Sequence, residues 1–302
     1  MRHPEKFGKL ERESEEIREL NSLNEYRRNF VDDRKKYTQQ LRATLKEYYP
    51  QAIDLVSRLD SPVFLDLLMK WSTFEKIQKE DKQKIRKFFY KHNLRSETNL
   101  QKKFELIDSS ISLSTDQAIV KPHVMKIKAI VAILRNLNKA IEKFDEKIKM
   151  IFENHEDSHI FNSFSGAGET MAPRLLAAFG TKRENFESAL EVSTVVAVAP
   201  VEESSGKQTW IHWRWAASTF LRQTFVEFAG LSVQFCPWAK VYYDGMKEKG
   251  KSRNAILRAL AFKWIRIIFA CWQKREKYDE ETYIKALIKS GSWVGKRLKE
   301  GC

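Results

Sequence analysis

Apolar residues recur every three to four positions near the start of the chain: Ile17, Leu20, Leu23, Tyr26, Phe30, Tyr37, Leu41, Leu45 and Tyr48. That period matches a helical turn and predicts one long amphipathic helix ending at Pro50. A stricter pattern follows Pro122, which is expected at the start of a second long helix. Ile127, Leu134, Ile141 and Ile148 lie seven apart, and Ile130, Leu137, Phe144 and Ile151 fill the position three residues later. This is a four-heptad seam with Lys and Glu on its flanks. It can pair with the first helix as an antiparallel coiled coil, or with a second copy as a homo-oligomer. Between the long helices, "SPVFLDLLMKW" has Ser61 as an N-cap before Pro62. "KIRKFFYKH" and "NLQKKFELIDSS" read as two more short helices, with Trp71, Phe88 and Phe89 as core.

The pattern changes near Glu156. No glycine lies between Gly8 and Gly166, as suits helix propensity. Glycine then returns at 166, 168, 180, 206 and 230, and seven of the eight tryptophans lie beyond Thr209. A boundary around residues 154 to 160 therefore divides the chain into 1–156 and 157–302. The expected fold class is mainly α: a long antiparallel coiled-coil region, then a compact helical domain with a helix-hairpin-helix-like turn.

Composition narrows the function classes. A chain of 302 residues with 42% hydrophobic content can bury a real core. No segment approaches the roughly 18 uncharged apolar residues of a membrane span, and residues 1 to 16 lack the apolar stretch of a signal peptide. Cys236, Cys271 and Cys302 are widely spaced and form no metal-ligand motif, so neither a disulfide framework nor a bound metal is expected, and a reducing cytoplasm is the default. Of the net charge of +14, residues 206 to 302 carry +11, with 19 Lys/Arg against 8 Asp/Glu. Such a segment attracts a polyanion, because neutralised phosphates release their counterions.

Three stretches carry candidate chemistry. "SFSGAGETMAPRLLAAFG" places Gly166 and Gly168 in a turn before a helix, which is either a plain interhelical turn or one whose free backbone N–H groups bind a phosphate. "TVVAVAPVEESSGKQTWIHWRW" sets Ser205 and Gly206 before an aromatic strand or helix. Ser205 is a turn residue or a reactive hydroxyl, and His212 is too close in sequence to be assigned as its base. Lys207, Arg214 and Arg222 suit phosphate contacts, and Trp210, Trp213 and Trp215 are base-stacking platforms or core. In "MKEKGKSRNAILRALAFKWIRIIFACWQKRE", Ser252 caps a helix whose buried stripe is Ile256, Leu260, Trp264, Ile267 and Cys271. Lys247, Lys249, Lys251 and Arg253 cluster at its start.

Taken in order, "SGAGETMAPRLLAAFG", "VAPVEESSGKQTWIHWRWA", "FLRQTFVEFA", "WAKVYYDGMKEKGKS" and "ALAFKWIRIIFACWQKREKYDEETYIKAL" resemble the C-terminal transposase domain of the DEDD insertion-sequence transposases, relatives of the Piv-type DNA invertases. "YRRNFVDDRKKYTQQLRATLKEYYPQA" is similar to the coiled coil that precedes that domain. The resemblance implies DNA transposition or site-specific recombination, with Ser205 as the nucleophile on a DNA phosphodiester. It implies DNA and a structured guide RNA as partners. It also implies an N-terminal RNase-H-like domain whose four acidic residues hold divalent ions such as magnesium. The sequence starts about where that domain would end, and Asp32 and Asp33 lie in the wrong region to be its ligands. The expectation is a chain that lacks its metal-binding half, carries no cofactor of its own and binds nucleic acid without recombining it alone. The rival expectations are a non-catalytic nucleic-acid-binding protein that oligomerises through its coiled coil, and a basic scaffold for an acidic protein.

Overall fold

A computed structural model describes residues 11–206, 208–212 and 218–300. The described chain is mainly helical, with fifteen α-helices and one two-stranded sheet. It forms two compact units. One is Tyr26–Asp145; the other joins the chain up to Glu25 with Glu146 onward. Two long helices, α1 (Glu15–Tyr48) and α7 (Gln117–Asn154), contribute residues to both. These units are drawn by packing and differ from the 1–156 and 157–302 division by composition. Glu13, for instance, accepts hydrogen bonds from Thr181.

Within residues 26–145, α1 and α7 run antiparallel. Arg27 pairs with Asp145, Phe30 meets Phe144 edge-on at 5.4 Å, Arg34 donates to Asn138, and Glu47 meets His123. Leu41 and Leu45 share a buried cluster with Ile127, Ile130 and Leu134 of the heptad pattern. Full burial of one such side chain stabilises by about 1.5–3 kcal/mol, against about 0–1 kcal/mol for a surface ion pair across the two helices such as Arg27–Asp145. Apolar contact therefore dominates the pairing. Tyr26, on the predicted stripe, is instead 56% exposed.

Pro122 does not open α7. Asp116 accepts from the Ala118 N–H at 2.8 Å and starts the helix at Gln117, so Pro122 falls inside it. The proline costs one backbone bond, normally made to the Ala118 carbonyl. Between the long helices lie α2 (Ala52–Leu55), α3 (Pro62–Lys70), α4 (Phe74–Gln78), α5 (Lys82–Lys91) and α6 (Glu97–Ser109). Trp71, Phe88 and Phe89 are core residues there, as expected. Ser61 occupies the cap position of α3, but its hydroxyl donates back to the Arg58 carbonyl at 2.6 Å instead of capping.

The second unit is built on α13 (Arg253–Lys274), which packs against α8 (Ser158–Phe161), α10 (Ala189–Val195), α11 (Thr219–Phe235) and α12 (Pro237–Glu248). Ser252 caps α13 by accepting from the Ala255 N–H. Ile256, Leu260, Trp264 and Ile267 are buried along it, and Cys271 is partly buried. The helix α9 (Gly168–Phe179) completes the core, with α14 (Glu280–Lys289) and α15 (Trp293–Glu300) beyond it. Three buried indoles each have an acceptor: Trp238 on the Tyr278 hydroxyl, Trp264 on Ser232 and Trp272 on the Gly180 carbonyl. Arg183, stacked on Trp272, donates to Asp157 at 2.7 Å and to the Trp272 and Thr181 carbonyls. No helix among the described residues is long and apolar enough to cross a membrane.

Two predictions follow from this packing. Arg183→Ala strands the Asp157 carboxylate, whose side chain is 2% exposed. Loss of one partner of a buried pair costs about 3–5 kcal/mol. Urea unfolding followed by tryptophan fluorescence reports this unit, and an unchanged midpoint refutes the assignment. The second prediction concerns His123, which places Nε2 2.6 Å from Glu47 and Nδ1 2.7 Å from the Ile119 carbonyl. Both ring nitrogens face acceptors, so the Glu47 hydrogen bond, then the Ile119 carbonyl, raises the imidazole pKa. The same hydrogen bond lowers that of Glu47. The histidine contribution is present below its unfolded pKa and lost as pH rises through the raised folded value. The Glu47 contribution is present above its unfolded pKa and lost as pH falls through the lowered folded value. The contact is thus strongest between the two ordinary values, roughly pH 4.5 to 6.5. Glu47→Gln should lower the His123 titration midpoint seen by NMR; a midpoint that stays put contradicts this reading.

Candidate nucleic-acid interface

The turn between α8 and α9 holds Gly166 and Gly168. Gly166 has φ +87°, and a Cβ there would lie 3.2 Å from the Phe235 ring and 3.4 Å from the backbone of Leu231 and Ser232 on α11. Its glycine identity is thus explained by close helix packing. Gly168 has φ +52°, and a Cβ would meet nothing within 4 Å. It opens α9, and Gly168, Glu169 and Thr170 are exposed. The first N–H groups of a helix have no intrahelical acceptor, so this exposed turn is where an anion would be held. Glu169 in the same turn opposes an anion by its charge.

The stretch around Ser205 is a β-hairpin, which decides between the strand and helix alternatives. Strands β1 (Val201–Ser205) and β2 (Gln208–His212) pair antiparallel, with Ser205 opposite Gln208 and Val201 opposite His212. A two-residue connection is the tightest hairpin turn, and its favoured forms need positive φ. Gly206 supplies it at +61°. Ser205 is therefore the last strand residue before the turn, and it is exposed. Ser205, Gln208 and Trp210 share one face by strand alternation, and all three are exposed, Trp210 at 50%. In register, His212 lies four residues down the ladder from the tip, about 13 Å along the strand. That offset places its backbone far from the Ser205 hydroxyl.

Behind the hairpin, residues 196–199 are buried, and Ala197 takes φ +56° at the end of α10. The apolar run before Pro200 is thus the anchor of the hairpin. After it, Ser218 caps α11 by accepting from the Leu221 N–H. Arg222, on the first turns of α11, is partly buried near Arg258, whose pKa is lowered by burial and then by the charge of Arg222. The four cations expected at the start of α13 divide between two helices: Lys247 lies in the last turn of α12 and Lys249 is its C-cap, Lys251 lies in the connection and Arg253 opens α13; all are exposed, with Lys249 over the Trp293 ring at 5.0 Å. Lys207, Arg214, Trp213 and Trp215 lie outside the described residues.

Sequence reading missed one buried polar arrangement. On α9, Arg174 is 4% exposed, donates to Thr224 and Glu227 of α11, and lies 5.0 Å from the Phe220 ring. Its only signal was an arginine between two apolar pairs in "MAPRLLAA", which looks like a solvated position. Among the described residues no three His, Cys, Asp or Glu side chains gather as a metal site; the divalent ion that the resemblance implies is expected in a separate N-terminal domain.

Comparison with known proteins finds similarity to insertion-element proteins. Residues 158–244 match the family described as Transposase IS116/IS110/IS902 family. A mini-circle transposase candidate for IS117 from Streptomyces coelicolor is 26% identical over 166 residues, covering 54% of this chain and 40% of that protein. The 43.6 kDa protein of insertion element IS110 from the same organism is 25% identical, over 58% of this chain and 44% of the relative. The 42 kDa protein of insertion element IS900 from Mycobacterium paratuberculosis is 27% identical, over 48% of this chain and 37% of the relative. The matched regions thus span about four-tenths of the length of these relatives. The α8–α9 turn, the Ser205 hairpin, α11 and most of α12 all fall inside residues 158–244, the segment that is similar to the IS116/IS110/IS902 transposase family.

Proposed function

We propose that this chain acts in DNA transposition or site-specific recombination by an insertion element, with Ser205 as the nucleophile. The observation that carries the reading is the exposed Ser205 at a hairpin tip inside the transposase-family segment. In the proposed step the Ser205 Oγ attacks a DNA phosphorus, forming an Oγ–P ester while the P–O bond to one sugar oxygen breaks. The hydroxyl proton passes to a base or water, and the departing sugar oxygen takes up a proton. The covalent ester conserves the phosphodiester energy for rejoining and splits one transfer into two.

The surrounding groups support binding. Gly168 opens the exposed turn of α9 in helix-hairpin-helix fashion, and Lys207, Arg214 and Arg222 supply charge on the segment after the hairpin tip. A structured guide RNA fits the same positive segment through its phosphates. The antiparallel α1 and α7 serve as a coiled-coil region, whose heptad flanks suit a homo-oligomer.

Ser205→Ala is expected to abolish any detergent-resistant protein–DNA adduct on a nicked duplex, while the Kd for the same duplex changes less than about threefold, since phosphate contacts supply most of the affinity. An adduct that persists in the variant rules Ser205 out. A wild-type chain that binds with no adduct under any condition, including with a full-length relative supplied, favours a non-catalytic binding protein. Gly168→Ala is expected to keep the fold at a cost of about 1–2 kcal/mol for its left-handed backbone. Gly166→Ala should cost more, because its methyl also meets Phe235. Equal melting temperatures for the two variants contradict this assignment.

A further inference from the structure

The helix α5 carries five cations: Lys82, Lys84, Arg86, Lys87 and Lys91. On the side facing α6 they are matched, Lys82 by Asp108 and Arg86 by Glu97. The opposite side is different. Lys84, Lys87 and Lys91 stand three and four residues apart, hence on one face, about 4.5 and 6 Å apart along the axis. They line a cavity of about 600 Å³ with Asp66, Met69 and Lys70 of α3, Phe88, His92 and Arg135 of α7.

The charges around this cavity do not balance. Asp66 is held by Arg135 and by His92 at 3.4 Å. Glu80 pairs with Lys84. Lys70 lies over the Trp71 and Phe88 rings, at 4.4 and 5.7 Å, which fixes its ammonium at the rim. No carboxylate pairs with Lys87 or Lys91 among the described residues, and both are exposed. Like charges at this spacing weaken a helix, so the row is stabilised by an anion that spans it.

We infer that this cavity binds the phosphodiester backbone of a nucleic acid, as a second contact surface in residues 26–145, outside the transposase-family segment. A chain of phosphates, rather than a single one, matches a row of cations on one helix face. The neighbouring rings, Trp71 and Phe88, are buried and offer no face to a base. The contact therefore positions nucleic acid without reading its sequence.

The test measures the Kd of the full chain for a short duplex DNA and for an RNA stem-loop across a salt series. Lys87→Gln with Lys91→Gln should flatten the slope of log K against log salt by about two, at roughly 0.9 per phosphate contact on duplex. Binding should weaken similarly for unrelated sequences. Lys87→Arg with Lys91→Arg should restore the wild-type slope. A control pair of exposed lysines on α7, Lys139→Gln with Lys143→Gln, removes the same net charge and should leave the slope nearly unchanged. The Ser205→Ala variant should also keep it, which separates this site from the nucleophile. An unchanged slope in the cavity pair overturns the inference, and so does an equal loss in the control pair. Retention of a polyglutamate peptide that nucleic acid fails to displace would also overturn it. Duplex and stem-loop arms that respond differently identify which nucleic acid occupies the row.

Discussion

The second unit depends on one buried charge. Asp157 stands at the start of α8 with its side chain almost wholly shielded, and Arg183 is its ion-pair partner. A carboxylate in that position is tolerated only if it is paired and hydrogen-bonded. Arg183 meets that demand at Oδ1, while Oδ2 is buried without a hydrogen-bond partner, and it also binds the Trp272 carbonyl at the end of α13. Trp272 in turn donates to Gly180, the cap of α9. A single guanidinium thus fixes three chain segments that meet nowhere else in sequence. The pair is weak evidence of stability in itself, because desolvation offsets most of its attraction. Its effect is on specificity: few other packings of these helices would satisfy both groups.

The same logic sorts the tryptophans. Trp238, Trp264 and Trp272 are buried, and each indole N–H finds an acceptor inside the unit. They serve as rigid core with polar handles. Trp210 differs, being half exposed on the hairpin face that also carries Ser205. Half-exposing so large a ring forgoes burial worth about 1 kcal/mol or more, which a contact with another molecule would recover.

Much of the fold was legible because its signals were periodic. The heptads of α7, the stripe of α13 and the Ser252 cap all rest on spacing, and spacing is what a helix imposes. Two misplacements had local causes. Proline tolerates the early turns of a helix, so Pro122 marked the neighbourhood of the α7 start without marking its first residue; Asp116 held the cap. Tyr26 kept the period but is left more than half exposed, since a period predicts a face and not what covers it. In the site, Gly206 was legible as a turn because a tight hairpin needs its positive φ. Whether the flanks were strand or helix was not, because "QTWIHWRW" suits either until its pairing with "VEESS" is known. Arg174 was illegible for a related reason: only the tertiary position of Thr224 and Glu227 makes a buried arginine acceptable.

The chemistry asked of Ser205 follows from where the rigid parts end. An unactivated hydroxyl is a poor nucleophile, and an exposed one is solvated as well. The hairpin gives Ser205 access and a fixed backbone, through a turn that only a residue of Gly206's freedom closes easily. His212 pairs with Val201 at the far end of the ladder, so its backbone lies about 13 Å from the tip, and α11 begins with a Ser218 cap occupied by the Leu221 N–H. What the core contributes is position. The buried 196–199 segment leads into the first strand, and the Arg174–Glu227 pair joins α9 to α11, which carries Arg222. In the proposed reading the fold positions the Ser205 hydroxyl, and its activation belongs to the complex with the bound polyanion.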